Sequence, residues 1–160
     1  MYGPHAMQIL RARPEDAATL TEIAFAAKRY WGYPESWIAN WTRLLTVEPR
    51  SIAKQPTYTA YIDEKPVGFY ALSCGSDAMN LEHLWVLPHA MRRGVGRALF
   101  LHAVEQVRAL RVQRLQIESD PNAAGFYEHM GARHTAIAVT ELEGEPRELP
   151  VLVYEIDRAA

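Results

Sequence analysis

The stretch Leu84-Trp85-Val86-Leu87-Pro88-His89-Ala90-Met91-Arg92-Arg93-Gly94-Val95-Gly96-Arg97-Ala98-Leu99 constrains this chain more than any other. An apolar run that stops at Pro88 reads as a strand. A basic loop with Gly-x-Gly follows and opens directly into an amphipathic helical pattern over 94–110, with Leu99, Val104, Val107 and Leu110 among its apolar positions. Gly94 and Gly96 let the backbone approach a ligand with no Cβ in the way. The N–H groups from about Arg93 to Arg97 have no intrahelical acceptor. Together with the positive end of the helix they form a site for an anion such as a pyrophosphate. Arg92, Arg93 or Arg97 can add charge-assisted bonds. The motif is neither Gly-x-x-x-x-Gly-Lys-Ser/Thr nor Gly-x-Gly-x-x-Gly, and alone it is also a common strand-to-helix turn.

The rest of the composition narrows what such a loop serves. At 160 residues, 49% of them apolar, the chain suits one globular domain. Its net charge of −2 provides no global basic field, so no nucleic-acid partner is expected. The arginines at 92, 93, 97, 108, 111 and 114 read as a local cluster fit for a small polyanion. The single cysteine, Cys74, excludes an intrachain disulfide and a cysteine-based metal site, and reads as a small core residue; no metal is expected. A reducing cytoplasm is the expected compartment. No apolar run approaches the ~20 residues of a membrane span, and no signal-peptide core is recognised, so no membrane partner is expected. Residues 1–6 read as a tail preceding a single domain over 7–160.

Along the chain, strands are expected at Gln8–Ala12, Thr57–Ile62, Pro66–Ser73, Met79–Val86, Gln113–Glu118, Ala132–Glu141 and Leu149–Asp157. A helix opens at Pro14 and fails near Trp31-Gly32-Tyr33-Pro34; others are expected over Glu35–Leu45, Gly94–Leu110 and Ala123–Met130. Early strands joined by tight turns are antiparallel, and the two strand-helix-strand passages are right-handed crossovers. The fold class is α/β (α+β), a mixed, mostly antiparallel central sheet of about seven strands with helices on both faces.

A second segment, Glu118-Ser119-Asp120-Pro121-Asn122-Ala123-Ala124-Gly125-Phe126-Tyr127-Glu128-His129-Met130-Gly131-Ala132, sharpens the reading. With the glycine loop it resembles the GCN5-related N-acetyltransferase (GNAT) superfamily. The family's Gln/Arg-x-x-Gly-x-Gly/Ala loop matches at Gly94 and Gly96. Its Asn-x-x-Ala-x-x-Phe/Leu-Tyr-x-x-x-Gly-Phe segment matches at Ala123, Phe126, Tyr127 and Gly131. The element order is also similar, over about Gln8 to Asp157. Met91, Asp120 and Ala132 depart from the pattern.

The resemblance implies direct transfer of an acetyl group from acetyl-CoA to an amine, with coenzyme A as product. It assigns pyrophosphate to Met91, Arg92, Arg93, Gly94, Val95, Gly96 and Arg97. It assigns the thioester arm to a splayed strand at Leu84, Trp85 and Val86, and to Asp120 or Asn122 with Ala123 and Phe126. Tyr127 also borders the coenzyme and is the implied acid for the leaving thiolate, since a phenol and a thiol have comparable pKa values. Glu82 is the candidate base, acting through water. Strict alternation puts Glu82, Leu84 and Val86 on one strand face and His83 on the other, as a core or interface histidine. His129 is expected to face solvent. Tyr30, Trp31, Tyr33 and Glu35 border the expected acceptor pocket, with Glu35 available for an ammonium group; alternatively Trp31, Trp37 and Trp41 simply pack helices on the sheet. Asp77–Asn80 can border the acceptor too. The acceptor is a small-molecule or peptide amine. A non-catalytic acyl-CoA sensor and a transferase using another acyl donor are the alternatives, and the C-terminal strands offer edges for a homodimer.

Overall fold

The computed structural model describes residues 6–156, so apart from Ala6 the expected N-terminal tail lies outside the described residues. Seven strands form one sheet: β1 (Met7–Arg11), β2 (Thr57–Ile62), β3 (Lys65–Cys74), β4 (Met79–Val86), β5 (Arg114–Glu118), β6 (Arg133–Leu142) and β7 (Glu145–Glu155). Their order is β1-β2-β3-β4-β5-β7-β6. Every pair is antiparallel except β4–β5, where α5 (Val95–Ala109) makes the crossover. This is the mixed, mostly antiparallel arrangement expected of the sequence.

Helices cover both faces. On one side α5 and α6 (Ala124–His129) bury Leu99, Phe100, Val104 and Tyr127 against Tyr70, Leu72, Leu115 and Ile117. On the other, α1 (Ala17–Arg29), α2 (Glu35–Asn40), α3 (Thr42–Leu45) and α4 (Pro49–Lys54) bury Leu20, Ile23, Ile38, Leu45 and Ile52 against Phe69. Gly68 in β3 permits the close approach of α5: a Cβ there would lie 2.8 Å from the Trp85 carbonyl oxygen and 3.1 Å from Leu99 Cδ1.

Three elements differ from expectation. The helix expected over Glu35–Leu45 breaks at Trp41 into α2 and α3. Asn40 Nδ2 donates to the Ser36 carbonyl and Thr42 Oγ1 to that of Ala39, the local bonds by which Asn and Thr compete with a continuous helix. Helix α4 was not expected; it buries the single residue Ile52, too little to produce a periodic pattern. Strand β7 starts at Glu145 rather than Leu149, because Glu143 and Gly144 alone make the turn, both at positive φ (52° and 81°). Pro146 and Pro150 disguise this strand, and both lie in the half that pairs only with the edge strand β6. Cys74 is also corrected: it is exposed at the end of β3, not a core residue.

Candidate active site

The glycine loop lies where β4 hands over to α5. Arg92 and Gly94 both have left-handed backbone (φ 63° and 82°), and Gly94 is the residue that caps α5. Ala98 N–H donates to the Gly94 carbonyl at 3.0 Å, and among the described residues no acceptor faces the N–H groups of Arg92 to Arg97. The turn therefore presents a row of unspent donors at the positive end of a fifteen-residue helix. Arg92, Arg93 and Arg97 are exposed beside it. A Cβ built on Gly96 would lie 3.5 Å from the Phe126 ring and 3.9 Å from Val86 Cγ2. The two motif segments, far apart in sequence, thus meet at one spot.

Beside that spot the sheet opens. Strand β4 pairs with β5 only at Met79–Leu115 and Asn80–Gln116; from Leu81 onward the two strands diverge. Leu84, Trp85 and Val86 therefore border a gap rather than a ladder.

The alternation expected along β4 is overturned. Register jumps from Leu72–Leu81 to Ala71–His83, leaving Glu82 as the extra residue of a β-bulge. One extra residue inverts the facing of everything beyond it. Leu84 and Val86 pack with the α5 cluster, whereas Glu82, His83 and Trp85 line a cavity on the opposite face, under α2 and α3. Glu82 is exposed there and accepts a hydrogen bond from Ser73 Oγ. His83 shares the cavity but cannot serve as a base in this arrangement. The Trp85 indole, a donor only, bonds its Nδ1 at 3.0 Å, so the neutral ring carries its proton on Nε2. Burial, opposed by Glu82, pushes the imidazole below its ordinary pKa and keeps it neutral.

The cavity has a volume of about 520 Å³, and its lining includes Lys28, Trp41, Asp120 and Arg147. These residues join the half-buried Tyr33 and the exposed Asn122 in one network. Lys28 Nζ lies 2.6 Å from Asp120 Oδ2. The Tyr33 hydroxyl is 3.0 Å from both Asp120 oxygens, and Asn122 N–H donates to Oδ1 at 2.8 Å. Tyr33 Oη in turn accepts from Asn122 Nδ2 at 2.9 Å and from Arg147 Nη2 at 3.0 Å. Burial lowers the Lys28 pKa against the opposing pull of Asp120. Burial would raise Asp120, but Lys28, the Asn122 N–H and Tyr33 hold it below its ordinary value. The carboxylate of Asp120 is thus fully engaged, while the Asn122 side-chain carbonyl has no donor among the described residues.

Tyr127 lies on α6, buried between Phe100 and Phe126, with ring centroids 6.0 and 5.1 Å away. Burial, reinforced by the charge of Asp120, pushes its hydroxyl well above the ordinary phenol value, so it stays protonated. Tyr30 and Trp31 are exposed and meet edge-to-face at the end of α1, outside the cavity lining. Glu35 pairs with Arg29 at 3.1 Å on the surface and also lies outside it. Trp37 and Trp41 instead pack around Tyr33. His129 is exposed, as expected. The arginines do not form one cluster: Arg108 pairs with Glu105, and Arg114 lies near Asp77 and Glu155. Arg147 went unnoticed in the sequence because it stands between prolines in a stretch that reads as a turn.

Residues 53–131, which span β4, the glycine loop, α5 and α6, match the model of the acetyltransferase (GNAT) domain. No curated protein sequence matches the chain. Among solved structures, the PaiA N-acetyltransferase of Thermoplasma acidophilum, in complex with coenzyme A, superposes with a TM-score of 0.76 at 20% identity, over 94% of this chain and 99% of that one. A GCN5-related N-acetyltransferase from Rhodopseudomonas palustris gives 0.75 at 23% identity, covering 97% and 98%. The yncA structure of Salmonella typhimurium, with its cofactor acetyl-CoA, gives 0.71 at 18% identity, covering 97% and 96%. At these identities the likeness is one of fold. The loop and helix motifs, brought together beside a split sheet, lie in the segment that matches the acetyltransferase (GNAT) domain, and the whole chain has the fold of the GCN5-related N-acetyltransferases.

Proposed function

We propose that the protein is an acetyl-CoA-dependent N-acetyltransferase that moves the acetyl group directly onto an amine. The observation that carries this reading is the divergence of β4 from β5 after two residue pairs. The gap opened by the split lies along β4 between Glu82 and the unspent loop donors, and so can join a coenzyme site to an acceptor site. The residues fit the coenzyme. The N–H groups of Arg92–Arg97 hold its pyrophosphate, Met91 contributing main chain rather than charge. Gly94 and Gly96 keep the approach open, and the β4 edge at Leu84–Val86 takes the pantetheine arm. Ala123, Phe126 and the free Asn122 carbonyl flank that arm. Bound coenzyme A and acetyl-CoA in two structural neighbours support this assignment.

When bound, acetyl-CoA supplies an acyl group activated as a thioester. Glu82, at the bulge beside the gap, takes the proton of the incoming ammonium, directly or through one water. Backbone N–H groups of the β4 edge orient the carbonyl. As the C–N bond forms and the C–S bond breaks, Tyr127 Oη gives its proton to the departing sulfur and is reprotonated, directly or through water, by the second proton the newly bonded nitrogen loses. No covalent acyl-enzyme is needed, and among the described residues the exposed Cys74 has no paired base to activate it.

Calorimetric titration with acetyl-CoA tests the coenzyme half of this reading, with phosphopantetheine, which lacks the pyrophosphate, as control. Saturable binding that weakens at least about a hundredfold with the truncated ligand, about 2.7 kcal/mol, is expected. Absence of binding, or equal affinity for both ligands, would remove the loop from the coenzyme site.

A further inference from the structure

The network under Trp41 does not balance its charge. Lys28 and Arg147 both stand over the Trp41 ring, 4.2 and 4.9 Å from its centroid. They share a single carboxylate, Asp120, at 2.6 and 3.7 Å. The side chains of Lys28, Asp120 and Arg147 are only 9%, 7% and 15% exposed. Charges so far from water are ordinarily paired, and here one positive charge remains over.

Hydrogen bonding locates where that charge can be met. Both oxygens of Asp120 are occupied, and Tyr33 Oη donates to Asp120 while accepting from Asn122 and Arg147. Of Arg147's five N–H donors, the bond to Tyr33 uses one. The others have no acceptor among the described residues, and Arg147 lines the 520 Å³ cavity. A guanidinium fixed by ring stacking, with spare donors in a planar fork, is shaped for a carboxylate. Glu82 stands in the same lining, with Glu118 and Glu141, and among the described residues none of the three is within ion-pairing distance of a cation. The cavity therefore carries both signs, a guanidinium at Arg147 and a carboxylate at Glu82, with apolar wall from Leu44, Leu45 and Trp85.

We propose that Arg147 is the carboxylate anchor of the acceptor, so that the acceptor is a free amino acid or similar amino-carboxylate with its amine turned toward Glu82. This rests on the acetyltransferase reading and adds the substrate class to it. A polyamine or a simple arylalkylamine satisfies Glu82 but leaves Arg147 unmatched.

The test compares the common L-amino acids with their decarboxylated amines, titrated by calorimetry into the full chain saturated with coenzyme A. Wild type is expected to bind at least one amino acid about tenfold or more tighter than its amine. Arg147→Met should abolish that preference, with coenzyme A affinity within about twofold of wild type. The acid-to-amine comparison in wild type stands whether or not the variant folds. Equal binding of acids and amines, no amino-acid binding at all, or a preference untouched by Arg147→Met would each overturn the proposal. Failure of coenzyme A itself to bind would bring down the acetyltransferase reading instead, and a parallel loss of coenzyme affinity in Arg147→Met would assign the guanidinium to the coenzyme.

Discussion

At the scale of single residues, burial sets the protonation states of Tyr127 and His83, and hydrogen-bonding partners working against burial set that of Asp120. Tyr127 is held as a phenol, Asp120 as a carboxylate, and His83 as a neutral ring. His102, hydrogen-bonded to the Tyr70 hydroxyl, is likewise pushed by burial below the ordinary histidine pKa of 6.5. A histidine whose folded pKa is depressed binds fewer protons folded than unfolded. Its penalty is absent above about pH 6.5 and grows as the pH falls toward the folded-state value. Stability should therefore decline between pH 7.5 and pH 5.5, with His83 and His102 both contributing. Urea midpoints across that range check this; a midpoint that holds or rises would show that neither ring is buried neutral. Glu82 illustrates what a sequence conceals at this scale. Its residue type and its place on the strand were legible, but its facing was not, because a bulge is set by the pairing of β3 with β4.

At the scale of elements, the chemistry is carried by places where regular structure stops. Strand β4 bulges at Glu82, leaves β5 after two pairs, and ends at a loop with two left-handed residues. Most of these elements were legible in sequence. Strands β2 and β4 match their expected bounds, and the strand-loop-helix unit is announced by its glycines. Helix α4 and the first four residues of β7 were not, since one buries a single apolar residue and the other carries Pro146 among charged residues. The meeting of Gly96 with Phe126 makes a prediction at this scale. Gly96→Val places a branched side chain where even a Cβ is in contact with that ring. It should weaken acetyl-CoA binding by at least about tenfold, or 1.4 kcal/mol, with a stability change within about 1 kcal/mol. Unaltered coenzyme affinity by calorimetry would mean that the loop and α6 do not form a common wall of the coenzyme site.

At the scale of the whole molecule, the polar network around Asp120 ties together parts distant in sequence: Lys28 from α1, Tyr33 from the following loop, Asp120 and Asn122 from the loop after β5, and Arg147 from β7. None of these pairings could be read from local pattern, since each contact other than that between Asp120 and Asn122 joins residues far apart in the chain. Removing the single carboxylate from such a cluster strands its two cations. Asp120→Asn should cost about 3 kcal/mol in urea unfolding, and adding Lys28→Met should recover part of that loss. A single variant as stable as wild type would show that the network is dispensable to the fold. Lys28, Asp120 and Arg147 of the same network line the cavity beside Glu82, so fold and proposed activity depend on one piece of architecture. The most direct test of that activity is thiol release from acetyl-CoA with a broad panel of amines, wild type against Tyr127→Phe, with products identified by mass spectrometry. The account predicts an N-acetylated product formed in step with free coenzyme A, slowed about a hundredfold or more in Tyr127→Phe with acetyl-CoA affinity nearly unchanged. Tight coenzyme binding with no acetylated product from any amine would contradict it and leave a protein that binds acyl-CoA without turning it over.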